Sequence, residues 1–247
     1  MTGAAPAGAA DERAAAAAVR RMFSDIAPRY DLLNHLLSCN VDRLWWRRTA
    51  RTFAHIISRS DARILDLCCG TGDMAQAIAR MRQADARPLL GVDFSHPMLL
   101  RAAAKSADKP MRWLEADALQ LPLSSNLLDL VVTAFGFRNL ANYEAGLREI
   151  ARVLAPGGEV GILDFGQPGG ALGKLYAVYF RRVLPALGTM ISGVRGPYGY
   201  LPASVQRFPA PAEMLERLRA AGFRDVSWTP YTFGIAGLYR GRKEVAA

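Results

Sequence analysis

Apolar positions fall into two regimes along the chain, with helical spacing alone before Arg63 and, beyond it, short apolar runs alternating with helical stretches. The runs Ile64–Cys68, Leu89–Asp93, Met111–Glu115, Leu128–Ala134 and Val160–Phe165 have strand length. Segments near 73–82, 96–107 and 142–154 carry helical periodicity between most of them. Such alternation predicts parallel strands joined by crossovers, with the ligand at the carboxyl ends of the strands. Ahead of it, Val19, Met22, Phe23 and Ile26 mark a helix from Asp11 to Ala27, capped by Asp11 and ended by Pro28. A second helix is expected from Leu44 to Ile57. At the other end, a helix near 212–221 stops at Gly222, and Val226–Tyr231 and Phe233–Tyr239 read as a β-hairpin.

No internal repeat is visible. Residues 1–10 carry only Met, Thr, Gly, Ala and Pro and are expected to form a disordered tail. The remainder, 11–247, reads as a single domain, with N-terminal helices over 11–60 and a cap insert over about 166–211. A chain of 247 residues with 51% hydrophobic and 21% charged residues suits that size and excludes disorder as the dominant state. No apolar run is long enough for a bilayer, and no basic start precedes an apolar core, so the cytoplasm is the expected location. Three cysteines, Cys39, Cys68 and Cys69, two of them adjacent, do not make a disulfide framework.

The formal charge of +9 changes this picture little, because 27 of the 31 basic residues are arginine, a skew that genome composition alone can produce. Location says more. No acidic residue stands between Asp164 and Glu213, where Lys174, Arg181, Arg182, Arg195 and Arg207 interleave with Tyr176, Tyr179, Phe180, Tyr198, Tyr200 and Phe208.

Chemistry concentrates at Ile64-Leu65-Asp66-Leu67-Cys68-Cys69-Gly70-Thr71-Gly72-Asp73, a strand running through a glycine turn into a helix. Gly70, Gly72 and Ala75 meet the spacing of a dinucleotide fingerprint, and Asp93 follows Gly72 by 21 residues at a strand end, where it can accept both hydroxyls of a ribose. Dinucleotide and adenosyl ligands compete for these same atoms. A pyrophosphate wants an uncompensated helix N-terminus, yet Asp66 and Asp73 place two carboxylates there. They suit a cation. At the exit of the third run, Asp117 can accept from an adenine amino group while Ala118 leaves room for the ring. The set matches S-adenosylmethionine, with Gly70, Thr71 and Gly72 around its amino-acid part, Asp93 on the ribose and Asp117 near the adenine. Taken singly, each residue also fits a plain turn or cap. The Cys68–Cys69 pair reads as small filler beneath the loop.

The segment Leu65 to Ala75 resembles motif I of class I methyltransferases. Phe23 to Asn34, which contains Tyr30-Asp31-Leu32-Leu33-Asn34, together with Phe135-Gly136-Phe137-Arg138-Asn139-Leu140 and Arg152 to Gly158, is similar to the C-methyltransferases of menaquinone and ubiquinone biosynthesis. The likeness spans about residues 20–241. It implies an α/β, Rossmann-like class I methyltransferase fold: a mostly parallel central sheet, an antiparallel C-terminal strand and helices on both faces. It also implies methyl transfer from S-adenosylmethionine to a ring carbon of a polyprenylated quinol, converting demethylmenaquinol to menaquinol or acting on the ubiquinone precursor. Cofactor contacts carry over to Thr71, Asp93, Asp117 and Ala118. The chain departs from the family pattern at Ala134, where a serine is frequent, at Asp164 and Gly166, where Glu and Ser are usual, and at Tyr239, where His is common.

A sulfonium methyl is already electrophilic, so the acceptor carbon is the weak partner, and it strengthens when a neighbouring phenol of pKa about 10 loses its proton. Arg138 is expected to stabilise the phenolate and Asn139 to orient the ring oxygen, with Asp73, Tyr30 and Asp31 as candidates for the proton. The alternative for Arg138 is an ion pair with Glu144 or Glu149; for Tyr30, Asp31 and Asn34 it is docking of an N-terminal helix. His35, His55 and His96 are isolated, so no metal is expected. For the acid-free insert the expectation is transient, peripheral contact at the inner face of the membrane, against a plain helical cap. Monomer and homodimer both stay open. Two rivals remain: a short-chain NAD(P) dehydrogenase, which gains from the glycine pattern, and a nucleic-acid-binding module, which gains only from net charge. Neither is preferred, and no nucleic-acid partner is expected.

Overall fold

The computed structural model describes residues 3–6, 8–27, 40–169 and 197–245. Its seven strands are β1 (Ile64–Leu67), β2 (Leu89–Asp93), β3 (Met111–Glu115), β4 (Leu128–Ala134), β5 (Leu154–Phe165), β6 (Phe223–Tyr231) and β7 (Ala236–Lys243). They form one sheet in the order β3-β2-β1-β4-β5-β7-β6. The first five are parallel, and β7 lies antiparallel between β5 and β6. The order reverses beside β1, so the carboxyl ends of β1, β2 and β4 splay around a crevice.

The helices are α1 (Glu12–Ile26), α2 (Val41–Thr52), α3 (Ala54–Ile57), α4 (Asp73–Ala79), α5 (His96–Lys105), α6 (Tyr143–Val153), α7 (Pro197–Arg207) and α8 (Pro211–Ala220). Strand residues alternate between two apolar layers. Leu65, Leu67, Val131, Val160 and Ile162 meet α6 and α8 on one face. Ile64, Leu130, Val132 and Leu163 meet α2, α3 and α4 on the other. Both faces being covered, the strands read as continuous apolar runs rather than alternating ones.

Several expected boundaries shift for visible reasons. The expected helix Leu44–Ile57 begins at Val41 and is broken at Phe53 (φ −103°, ψ 20°). Phe53 is fully buried on Gly161, where any Cβ would lie 2.5 Å from its ring. Strand β5 starts at Leu154 rather than Val160, because Leu154 already pairs with Leu128 and a register shift before Leu130 absorbs the Pro-Gly-Gly segment. Phe233 is not in the last strand. It sits at φ 58° in a 3-10 turn, Thr232–Gly234, that joins β6 to β7. The expected tail is in part packed: Ala4 is buried and its N–H donates to Leu140 O at 2.7 Å.

Candidate functional site

Strand β1 is too short to reach α4 directly, and the connection is a sharp turn with three positive φ angles, Cys68 at 55°, Gly70 at 54° and Gly72 at 83°. Gly72 is required twice over, since a Cβ there would also stand 2.7 Å from the Trp113 ring. The same indole covers Gly91 on β2, where a Cβ would be 2.2 Å away. Two glycines and one tryptophan thus bring the turn down onto β2.

The turn forms one wall of a crevice of about 1020 Å³, open mouth included, lined by Asp66, Cys68, Gly70, Thr71, Asp73, Asp93, Asp117, Ala118 and Asn139 among others. Asp66 projects from β1 beneath α4 and is completely buried. Its Oδ2 accepts the Ala75 N–H at 2.9 Å, and its Oδ1 is buried with no partner among the described residues. Desolvation pushes its pKa well above the usual carboxylate range, and Asp93 and Asp73 nearby add to the effect. Asp93, at the end of β2, accepts the N–H groups of Gly70 and Ser95, each at 2.9 Å. Burial raises its pKa to about 6 against those bonds. Asp117 follows β3, is exposed, and accepts the Leu119 N–H at 2.8 Å.

Asp73 has a cation beside it: Lys105 Nζ, from the far end of α5, is 2.7 Å from Asp73 Oδ1 and 3.1 Å from Thr71 Oγ1. Helix α1 closes the crevice from above through Ala16 and Phe23. It is held by a Ser24–Ser95 hydroxyl bond of 3.0 Å and by an Arg20–Glu115 ion pair. Trp46 of α2 and Phe135 after β4 complete the wall. Nothing in the residue pattern announced α1, Trp46 or Lys105 as site residues, because each arrives from a distant part of the chain.

Arg138 is where the picture departs most from expectation. It does form an ion pair, but with Asp164 on β5 and not with Glu144 or Glu149, which bind Arg217 and Arg152. Arg138 Nη1 also donates to Phe135 O, and its Nε is buried without a partner among the described residues. The side chain lies behind the crevice wall, with its guanidinium carbon 5.1 Å from the Phe165 ring centroid. Asn139 does line the crevice; its Nδ2 donates to Phe135 O at 3.3 Å and its Oδ1 has no partner among the described residues. Tyr200 of α7 carries another buried polar atom without a partner among the described residues, its hydroxyl, whose pKa burial pushes up to about 12. Tyr30, Asp31 and Asn34 lie outside the described residues, as does the insert from 170 to 196.

The Cys68 and Cys69 thiols are pushed well above their ordinary pKa by burial, first, and by the surrounding carboxylates. They are poor nucleophiles there. One Tyr-x-x-x-Lys spacing, Tyr239 to Lys243, could favour a dehydrogenase. Both residues lie on β7, and Lys243 Nζ is bound to Asn126 Oδ1 and Leu154 O, each at 2.7 Å, so the pair is not part of the crevice.

A doubly wound sheet with this strand order, closed by an antiparallel hairpin and carrying an acid-lined glycine turn after β1, is the class I methyltransferase architecture. Solved structures agree on the fold. A SAM-dependent methyltransferase of Thermotoga maritima, described as a possible histamine N-methyltransferase, superposes with a TM-score of 0.64 at 17% identity, over 92% of this chain and all of that one. A SAM-dependent methyltransferase of Aquifex aeolicus gives 0.57 at 17% identity, over 78% of this chain and 88% of that one.

Residues 9–243 match the model of the ubiE/COQ5 methyltransferase family, and the chain belongs to that family. A demethylmenaquinone methyltransferase of Thermus thermophilus is 49% identical, over 89% of this chain and 99% of its own. One of Deinococcus radiodurans is 45% identical, over 92% of both chains. A protein of Geobacter sulfurreducens named ubiquinone/menaquinone biosynthesis C-methyltransferase is 42% identical, over 91% of this chain and 88% of its own.

Proposed function

We propose that the protein methylates a ring carbon of demethylmenaquinol, using S-adenosylmethionine, to give menaquinol. The observation that carries the donor is the unpartnered, fully buried Asp66 Oδ1 in a crevice lined by four carboxylates. An ammonium ligand can donate to that atom and a sulfonium suits the acids around it, whereas a diphosphate would be repelled by the charged members of the set. The acceptor rests on family membership and on the names of relatives 45% and 49% identical to this chain. Relatives named for both quinones give the second reading, action on the ubiquinone precursor as well.

When bound, S-adenosylmethionine supplies a methyl group already electrophilic on a positive sulfur. The protein's part is to align donor and ring, exclude water and raise the nucleophilicity of the ring carbon. Gly70, Thr71 and Gly72 hold the amino-acid portion, with Asp66 and Asp73 answering its ammonium. Asp93 accepts the ribose hydroxyls, Asp117 the adenine amine, and Ala118 packs under the ring. Asn139 presents its amide to the quinol oxygen. Arg138, behind the wall and paired with Asp164, acts on the acceptor through the loop it holds, which presents Asn139 to the crevice. With Asp73 already beside Lys105, Tyr30 and Asp31 are the better candidates for the proton. For the acid-free stretch between Asp164 and Glu213, whose residues 170–196 lie outside the described ones, its arginines and aromatic residues support transient contact with the membrane surface.

Labelled S-adenosylmethionine offered with reduced demethylmenaquinone, and separately with the reduced ubiquinone precursor, tests both readings. Label in the menaquinol alone is the expected result. Label in neither product, with the protein folded and the donor bound, overturns the assignment of the acceptor.

A further inference from the structure

Helix α2 has two faces with different business. Trp45, Trp46, Thr49 and Ala50 are buried against the sheet, and Trp46 lines the crevice. The opposite stripe reads Leu44, Arg47, Arg48 and Arg51, spaced i, i+3, i+4 and i+7, with Arg43 alongside, and every one of these side chains is exposed. Among the described residues none of these arginines pairs with an acid; Arg48 instead lies over the Tyr231 ring at 4.4 Å.

That contact, with the Trp45 Nε1–H donating to Thr232 Oγ1 at 2.8 Å, fixes the β6–β7 turn beside the stripe. At the tip of the turn Phe233 is 82% exposed, and Leu44 is 59% exposed. Phe233 also occupies the left-handed region at φ 58°, directly after Thr232 at 46°. A bulky side chain is disfavoured in that conformation and an aromatic ring is disfavoured in water, so the residue opposes stability on both counts. Such a combination points to a task outside the fold.

We infer that Phe233, Leu44 and the Arg43/Arg47/Arg48/Arg51 stripe form a docking surface for an anionic lipid bilayer. An exposed aromatic tip and an exposed leucine beside arginines that pair with no acid among the described residues match the chemistry of the interface, where rings enter the headgroup boundary and guanidinium groups meet lipid phosphates. Buried ring contacts link the patch to the crevice. Trp45 packs on Phe135, a crevice residue, at 5.8 Å between centroids, and on Phe165 at 6.3 Å. An apolar path therefore runs from the crevice wall to the patch. The inference rests on different residues from the acid-free insert and does not need the acceptor to be a quinol.

The test is co-sedimentation with vesicles of phosphatidylglycerol mixed with phosphatidylcholine, and of phosphatidylcholine alone, comparing wild type, Arg47→Glu/Arg51→Glu and Phe233→Gly. Methyl transfer to a water-soluble short-chain quinol is followed in parallel. Wild type is expected on the anionic vesicles only, and is released near 1 M salt, where the screening length is about 3 Å. The double charge reversal lowers partitioning by roughly thirtyfold or more. Phe233→Gly relieves the backbone, so its melting temperature does not fall while its vesicle binding does. Methyl transfer to the soluble acceptor is unchanged in both variants; absence of transfer by the wild type would count against the acceptor assignment rather than the surface, and its loss in the variants alone would overturn the inference. Equal retention of either variant and wild type on anionic vesicles overturns the inference, as does absence of wild-type binding. Tighter binding of duplex DNA through the same arginines would assign the stripe to a nucleic acid and overturn it too.

Discussion

Arg138 and Asp164 are joined twice: Nη1 lies 2.8 Å from Oδ1, and the Arg138 backbone N–H donates to Oδ2 at 3.1 Å. The carboxylate is completely buried and the guanidinium nearly so. The pair ties the loop after β4 to the end of β5, and so sets where Asn139 points.

Removing one member strands the other. Asp164→Ala is expected to cost about 3–5 kcal/mol in urea denaturation, whereas Arg138→Met with Asp164→Leu costs much less, because no charge is left unanswered. Equal losses in the two variants would show that the ion pair is not what the loop depends on.

Gly72→Ala combines a disfavoured φ with a collision against Trp113. Gly157→Ala has a similar φ, 79° against 83°, but nothing closer than Val245 Cγ2 at 3.8 Å, so it isolates the backbone effect. We expect about 1 kcal/mol at Gly157 and roughly 1–3 kcal/mol at Gly72, the latter with shifted Trp113 fluorescence and weakened S-adenosylmethionine binding.

Asp93 gives a pH signature with opposed directions. Its folded pKa of about 6 exceeds the ordinary 3.8, so the folded state holds the proton more tightly than the unfolded chain does. The stability this contributes is fully present below the unfolded value and is lost as the pH rises through about 6. Affinity for the cofactor runs the other way, since only the carboxylate accepts from both ribose hydroxyls. Calorimetric titrations across that window should weaken toward acid, and Asp93→Asn should flatten the profile.

Asp66 predicts a proton count. Burial favours its neutral form, and a cation placed against Oδ1 favours the charged one, so binding expels a proton. The apparent binding enthalpy at neutral pH should then track the ionisation heat of the buffer. Asp66→Asn should remove that dependence; a wild-type enthalpy indifferent to buffer refutes the account.

Much of the sheet was legible in the chain. β2, β3 and β4 coincide with the expected runs, since each is a short apolar segment bounded by turn residues, and the Asp11 cap is made as read, its Oδ1 accepting the Ala14 N–H at 2.7 Å. The turn after β1 and the acids at Asp66, Asp93 and Asp117 were legible because they sit where strands end. What spacing could not show is which distant residue arrives at each. Lys105 reaches Asp73 across 32 residues and Asp164 reaches Arg138 across 26, and no local pattern encodes either pairing. The sequence likewise placed Phe233 in a strand, because its apolar character says nothing of a positive φ.

Strand β7 lies between β5 and β6 although it is made after both. Until Ala236–Lys243 has left the ribosome, β5 keeps a bare edge and β6 has no neighbour to hold it. The nascent chain thus carries an open, apolar template from the completion of β5 at Phe165 until β7 ends at Lys243, and closing the sheet is a late event of long sequence separation. Interruption of translation shortly before this segment would release a species prone to join its own kind edge to edge.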